Sequence, residues 1–212
     1  MTCCHTLYQA VAALQRGEVI GLPTETLFGL AADPWHPRAL TQLIRMKERP
    51  VTKGFILLIP GPESLQELTL PPCCLAQLLM EQFWPGPLTL ALPARPDLPE
   101  PLTGATGFVA VRHSPAPQVQ SLLALWQRPL ISTSANRAGA PPPNTTREVQ
   151  NIWQHEQLLV IDGTIQPNAL PSTLLRVEQN HATLLRPGAI ALPLLQQTIA
   201  PHGFSISNPN LL

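Results

Sequence analysis

An α/β fold, a sheet with helices packed on it in a single domain, is predicted for this 212-residue chain by two observations. Apolar residues alternate between helical spacing and short β runs along the sequence. The polar strings Pro23-Thr24-Glu25-Thr26, Arg112, Ser132 to Asn136 and Arg186 fall where predicted strands stop. In open α/β sheets, the crevice beyond strand ends takes the ligand.

Leu7, Ala10, Val11 and Leu14 mark one face of an opening helix that Gly17 ends. Residues 19–22 form a buried strand stopped by Pro23, whose ring removes a ladder donor. Leu40, Leu43, Ile44 and Lys47 share a face of a second helix, with Pro37 near its start. A strand at 55–59 and a helix at 73–83 follow, and Trp84-Pro-Gly-Pro87 makes a rigid turn into a strand at 88–92. The next strand, 108–111, ends at Arg112. A helix at 119–126 leads to the short strand 130–131 and then to the loop 132–136. Thr145 or Thr146 caps a helix reaching Trp153. Strands at 158–161, 173–177 and 182–185 precede Arg186-Pro-Gly188, residues 190–200 are helical, and the last dozen are irregular. The division expected is a domain over 1–190, with a C-terminal helix and irregular tail over 191–212.

Net charge is zero and 12% of residues are charged, which argues against a protein whose main task is gripping a nucleic-acid backbone. No apolar run reaches membrane-spanning length, and the N-terminus lacks a charged segment followed by an apolar one. A cytoplasmic protein with no membrane partner is the expectation. The cysteines form two adjacent pairs, Cys3-Cys4 and Cys73-Cys74, without metal-ligand spacing, and the histidines are dispersed. No metal site is assigned.

The only two lysines, Lys47 and Lys53, lie in a basic cluster with Arg45 and Arg49, which hints at a small anionic group held there. The solvated alternative is a helix end complemented by positive charge. Neither Gly-rich phosphate cradle is present, nor the G-x-S-x-G elbow. What remains is hydroxyls, amides and isolated cations. Such a set positions substrates and stabilises charge, which is the main requirement of phosphoryl and nucleotidyl transfer.

The string Leu22-Pro-Thr-Glu-Thr26-Leu-Phe-Gly29-Leu resembles the signature of the YrdC-type threonylcarbamoyl-AMP synthases. Six further elements match in family order: Lys47-x-Arg49-Pro50 with Lys53, Trp84-Pro-Gly-Pro87-Leu-Thr, Val109-Ala-Val-Arg112, Ser132-Thr-Ser134-Ala-Asn136, Pro171-Ser172-Thr173 and Leu185-Arg186-Pro-Gly188. The resemblance implies the family's twisted, mostly mixed open sheet flanked by helices, in the short single-domain form. It also implies a reaction: L-threonine, bicarbonate and ATP give threonylcarbamoyl-AMP and pyrophosphate. The product is then used by a downstream threonylcarbamoyl-transferase complex at adenosine 37 of tRNAs reading codons that begin with A. Mg2+ would arrive with ATP, held largely by phosphate oxygens and water.

Residue roles follow from the same resemblance. Lys47 and Arg49 are implied as the catalytic pair facing the phosphates and the carbamate. Arg49, Lys53, Asn136, Asn144 and Arg186 are implied as ATP contacts. Thr26, Arg112, Ser134 and Ser172 are implied as the threonine pocket, with Arg112 the natural partner of the substrate carboxylate. Lys47 is treated as an exposed base. Each residue alone also fits an ordinary role: Ser132 to Asn136 satisfying a turn, Glu25 capping a loop, Thr26 buried with an internal partner. Two departures stand out. Leu58 occupies the position of a histidine that helps bind threonine in many family members, and Ala138 replaces a serine after the S-x-N pair. Two alternatives remain: the carbamoyl-adenylate chemistry of the related hydrogenase-maturation domain, and an RNA-binding or ribosome-assembly factor that uses the same basic cleft with weak tRNA contact.

Overall fold

The helix α1 (Thr2–Gln15) stops where the sequence places a breaker, since Gly17 adopts φ +71° and its N–H returns to the Leu14 carbonyl (2.9 Å). The structure, a computed structural model, describes residues 2–48 and 53–209. Its strands are β1 (Ile20–Pro23), β2 (Phe28–Ala32), β3 (Ile56–Leu58), β4 (Leu88–Pro93), β5 (Phe108–Arg112), β6 (Leu130–Ser134), β7 (Leu159–Val160), β8 (Thr173–Glu178), β9 (His181–Arg186) and β10 (Ser205–Ser207). Further helices are α2 (Pro37–Lys47), α3 (Cys74–Phe83), α4 (Glu100–Thr103), α5 (Pro117–Trp126), α6 (Thr146–Ile152) and α7 (Leu192–Ile199).

All ten strands join one mixed sheet in the order β10-β9-β8-β4-β5-β3-β6-β2-β1-β7. Four parallel pairs (β1 with β7, β3 with β5, β4 with β8, β9 with β10) are interspersed with five antiparallel ones, as the expected mixed open sheet requires. Strand alternation sorts side chains onto two faces. One face carries Phe28, Leu30, Leu57, Leu90, Val109, Val111 and Ile131, sealed by apolar residues of α2, α3, α6 and α7. The other carries Ile20, Leu22, Ala31, Leu58 and Leu130, covered by Leu7, Ala10 and Leu14 of α1 and by Val119, Leu122 and Trp126 of α5. Burying each such leucine contributes about 1.5–3 kcal/mol. Beyond α1 and α5, this second face opens: Phe108, Ala110, Leu174 and Arg176 are half-buried there.

Several elements differ from the sequence expectation. Residues 28–32 form the wholly buried strand β2, which pairs with β1 as a hairpin around the signature loop. Its Phe-Gly-Leu-Ala-Ala string has no polar alternation to betray a strand. The expected loop 132–136 begins inside β6, because Ser132 to Ser134 pair with β2. A 3-10 segment (Pro62–Glu67) and α4 are additional. In the tail, the helix forms as α7, and the expected irregular stretch contains β10, which pairs parallel to β9. Thr145 is the cap of α6, accepting from the Glu148 N–H (3.2 Å).

Candidate functional site

Moving two residues along three strands turns the second face from core into cavity. Ala31 gives way to Gly29, Leu58 to Ile56, and Leu130 to Ser132 and Ser134. Loop 24–27, Ala110 and Arg112 of β5, Pro171, Ser172, Leu174 and Arg186 complete a cavity of about 210 Å³. It therefore lies on the face of the sheet, across six strands, rather than only beyond strand ends as the topology rule predicts. Its volume is below the roughly 300 Å³ at which drug-sized pockets begin, so it suits a small molecule. Among the described residues, its lining holds two arginines and no carboxylate.

Arg112, 4% exposed at the end of β5, is the cavity's buried charge. Its Nη1 donates to Thr26 Oγ1 (2.9 Å) and lies 3.6 Å from Glu25 Oε1, while Nε has no hydrogen-bond partner. Burial pulls this guanidinium's pKa down, and the charge of Glu25 opposes that pull. Glu25 is held in turn: Ser114 Oγ donates to its Oε2, and Gln120 of α5 donates to the Ser114 carbonyl. Thr24 Oγ1 donates to the Leu27 carbonyl (2.7 Å) and accepts from the N–H groups of Thr26 and Leu27, folding the loop tightly enough to aim Thr26 at Arg112. Sequence reasoning missed the Glu25–Ser114 link, since 89 positions separate the partners.

A second cluster joins β4, the residue before β8 and the end of β9. Arg186 donates to the Ser172 carbonyl (2.8 Å) and to Ser172 Oγ (2.9 Å), and the latter pairs with Thr89 Oγ1 (2.7 Å). Thr89 is the last residue of the Trp-Pro-Gly-Pro-Leu-Thr string, a signal for its role that was present but unread. The turn itself is a brace. Gly86 N–H donates to the His113 carbonyl (2.9 Å) and the Pro87 carbonyl accepts from Thr173 N–H (3.0 Å), tying the residue after Arg112 to the residue after Ser172. Burial lowers the pKa of the braced His113 imidazole, partly offset by Glu63.

Lys47 departs from the exposed base the sequence reading assumed, being 8% exposed at the end of α2. Its ammonium donates to the carbonyls of Ser134 (2.7 Å) and Asn136, and to Asn136 Oδ1 (3.3 Å). Ser134 Oγ donates to that same amide oxygen (2.6 Å). Behind the loop, Trp153 Nε1 donates to the Ala135 carbonyl (2.6 Å), and Arg137 lies over the Trp153 ring at 4.8 Å. Lys47 thus clasps the S-x-N turn beside the cavity.

The structure brings Thr26, Arg112, Ser134, Ser172 and Arg186 to the cavity lining, with Asn136 and Lys47 bonded to Ser134. Lys53 is exposed and adjoins the lining residue Gly54. Arg49 lies outside the described residues. Asn144, just before α6, is not brought to the cavity; its N–H donates to Glu148 Oε2 (2.7 Å) and its carbonyl accepts from the Ile165 N–H (2.8 Å). Leu58 is fully buried under α1 and α5, so the β3 side chain facing the cavity is Ile56. Among the described residues, no three metal-ligating side chains converge.

Comparison with known proteins places this geometry. The Sua5_yciO_yrdC family model, described as telomere recombination, matches residues 12–188. The chain belongs to the Sua5/YciO/YrdC family. Threonylcarbamoyl-AMP synthase of Photobacterium profundum is 40% identical over 160 residues, covering 74% of this chain and 86% of the relative. The corresponding enzyme of Vibrio campbellii is 38% identical over 172 residues, 78% and 91% of the two chains. Among solved Sua5/YciO/YrdC structures, P. abyssi Sua5 complexed with L-threonine superposes with a TM-score of 0.86 at 30% identity. That match takes in 95% of this chain, which spans 58% of the length of the P. abyssi protein.

Proposed function

We propose that this chain is an enzyme of the threonylcarbamoyl-AMP synthase type, joining L-threonine, bicarbonate and ATP to give threonylcarbamoyl-AMP and pyrophosphate. The observation that carries the reading is the small carboxylate-free cavity with Arg112 buried in it beside Thr26. A guanidinium withdrawn from water binds a carboxylate through charge-assisted hydrogen bonds, and the unpartnered Nε is available for one of them. Similarity to curated synthases over most of their length supports the same reaction.

In this reading threonine's amine takes up CO2 to form a carbamate, and a carbamate oxygen attacks the α-phosphate of ATP as pyrophosphate leaves. The nucleophile is already anionic, so alignment and charge neutralisation suffice. Arg112, Thr26, Ser134 and Ser172 would hold threonine. Too large for the cavity, ATP would lie across its open rim toward Lys53, Asn136 and Arg186, with Arg49 proposed as a further phosphate contact and a contact from Asn144 belonging to its outermost part. Lys47 would act by fixing the S-x-N turn and by placing positive charge under it. Mg2+ would enter with ATP, held largely by phosphate oxygens and water, since no three metal-ligating side chains converge among the described residues. The product would pass to a threonylcarbamoyl-transferase complex that acts on tRNA in the cytoplasm. No helix among the described residues is long and apolar enough to cross a membrane. The RNA-binding alternative draws less support, because Lys47 and Arg112, two cations of the basic cleft, are buried away from any phosphate backbone.

Pyrophosphate release by the purified chain with ATP tests this. The expected result is release that requires both L-threonine and bicarbonate. Equal release without amino acid, or with carbamoyl phosphate replacing bicarbonate and threonine, would overturn the reading.

A further inference from the structure

We infer that Thr89, a residue off the cavity wall, is a positioning residue that fixes the Ser172 hydroxyl as a hydrogen-bond donor toward the bound amino acid, a role that rests on the synthase reading above. Leu88, Leu90 and Leu92 of β4 pack into the first face of the sheet, so Thr89 points to the second, the side of the cavity. It is 0% exposed there and, among the described residues, is not part of the cavity lining. Its ladder partner on β8 is Leu174, and Ser172, two residues earlier on the same side, lies diagonally across from it. On the other flank, the antiparallel ladder that pairs Leu90 with Val111 brings Thr89 opposite Arg112. Thr89 therefore stands between the two parts of the site, with Arg112 on one side and Ser172 with Arg186 on the other.

Hydrogens and lone pairs decide which way the bond between the two hydroxyls runs. A hydroxyl carries one hydrogen and two acceptor lone pairs. The contact with Ser172 Oγ (2.7 Å) is the one hydrogen bond that Thr89 Oγ1 makes among the described residues. With Ser172 as the donor, the Thr89 hydrogen would be buried without an acceptor, at the full cost of its desolvation. Thr89 is therefore the donor. Arg186 Nη2 donates to the same Ser172 oxygen (2.9 Å) and takes its second lone pair. What Ser172 has left is its own hydrogen, on a side chain that lines the cavity. The group offered to a ligand is a donor alone, suited to a carboxylate or carbamate oxygen and unsuited to an ammonium. Arg186 does not depend on Thr89 for its place, since its Nε and Nη2 also donate to the Ser172 carbonyl (3.2 and 2.8 Å).

The test is KM for threonine and for ATP, from pyrophosphate release, in the wild type, Thr89→Val, Thr89→Ser, Ser172→Ala and the Thr89→Val, Ser172→Ala double variant. Thr89→Val keeps the shape and removes the donor; it is expected to raise the threonine KM about 10-fold and to leave that for ATP within about twofold. Thr89→Ser keeps the donor and is expected to stay within about threefold of the wild type. On the Ser172→Ala background, Thr89→Val is expected to add less than about twofold, because residues that act through one contact are not additive. An unchanged threonine KM in Thr89→Val, a Thr89→Ser as impaired as Thr89→Val, or effects that multiply with Ser172→Ala would each overturn the inference. The last two are what a residue that merely fills space would give. If the valine variant does not fold, Thr89→Ala takes its place in the same comparison. A wild type without threonine-dependent release would instead overturn the synthase reading itself, and this inference with it.

Discussion

The two halves of the α1/α5 face are built from the same strands and serve opposite ends. Under the helices, Ala31, Leu58 and Leu130 are dry core. Two positions further along, Gly29, Ile56 and Ser132 line a polar cavity. The backbone ladder is continuous through both, so the change comes from side-chain size and polarity and from where α1 and α5 end. A rigid, well-packed half holds the cavity half in place, which is how a site of small side chains keeps its geometry.

Cutting into the dry half should bring the largest effect, and one confined to stability. Leu130→Ala removes a fully buried side chain and is expected to cost about 2–5 kcal/mol of unfolding free energy, with KM for threonine in the folded fraction unchanged; denaturant melts with matched kinetics would show it. A threonine KM that moves with stability would mean that the halves are not separable. Arg112→Ala should do the reverse. Losing a buried charge partner is expected to weaken threonine binding about 100-fold, with ATP binding retained, and calorimetry with each ligand reads both. Retained threonine binding with lost ATP binding would reverse the assignment of the cavity. The smallest effect sharpens the boundary: Gly29→Ala adds a methyl at 3.0 Å from Ser132 Oγ and is expected to raise the threonine KM about 10-fold while the melting temperature shifts little.

Much of this was legible in the chain. Strands bounded by Pro or Gly, such as β1 before Thr24 and β4 after the Trp84–Pro87 turn, announced themselves by apolar runs between breakers. β2 did not, because a strand buried on both faces shows no alternation, and β10 did not, because three residues flanked by polar ones give no period. Lys47 is the instructive case. Its helical spacing with Leu43 placed it on the apolar face of α2, while its charge argued for solvent. Spacing was the better guide, since three oxygens of the S-x-N turn meet the ammonium there. Glu25 with Ser114 was beyond reach because such a pair exists only once the sheet order is known.

The ends of the sheet have a consequence of their own. A ten-stranded open sheet has two free margins, and here they fall to β10, three residues long, and β7, two residues long. Margins this short offer few unpaired N–H and C=O groups to a strand from another molecule, so the fold resists edge-to-edge polymerisation. Removal of residues 203–212 would expose the six-residue β9 as the new margin, where Leu185 is already 44% exposed, and would turn a guarded border into a template for aggregation.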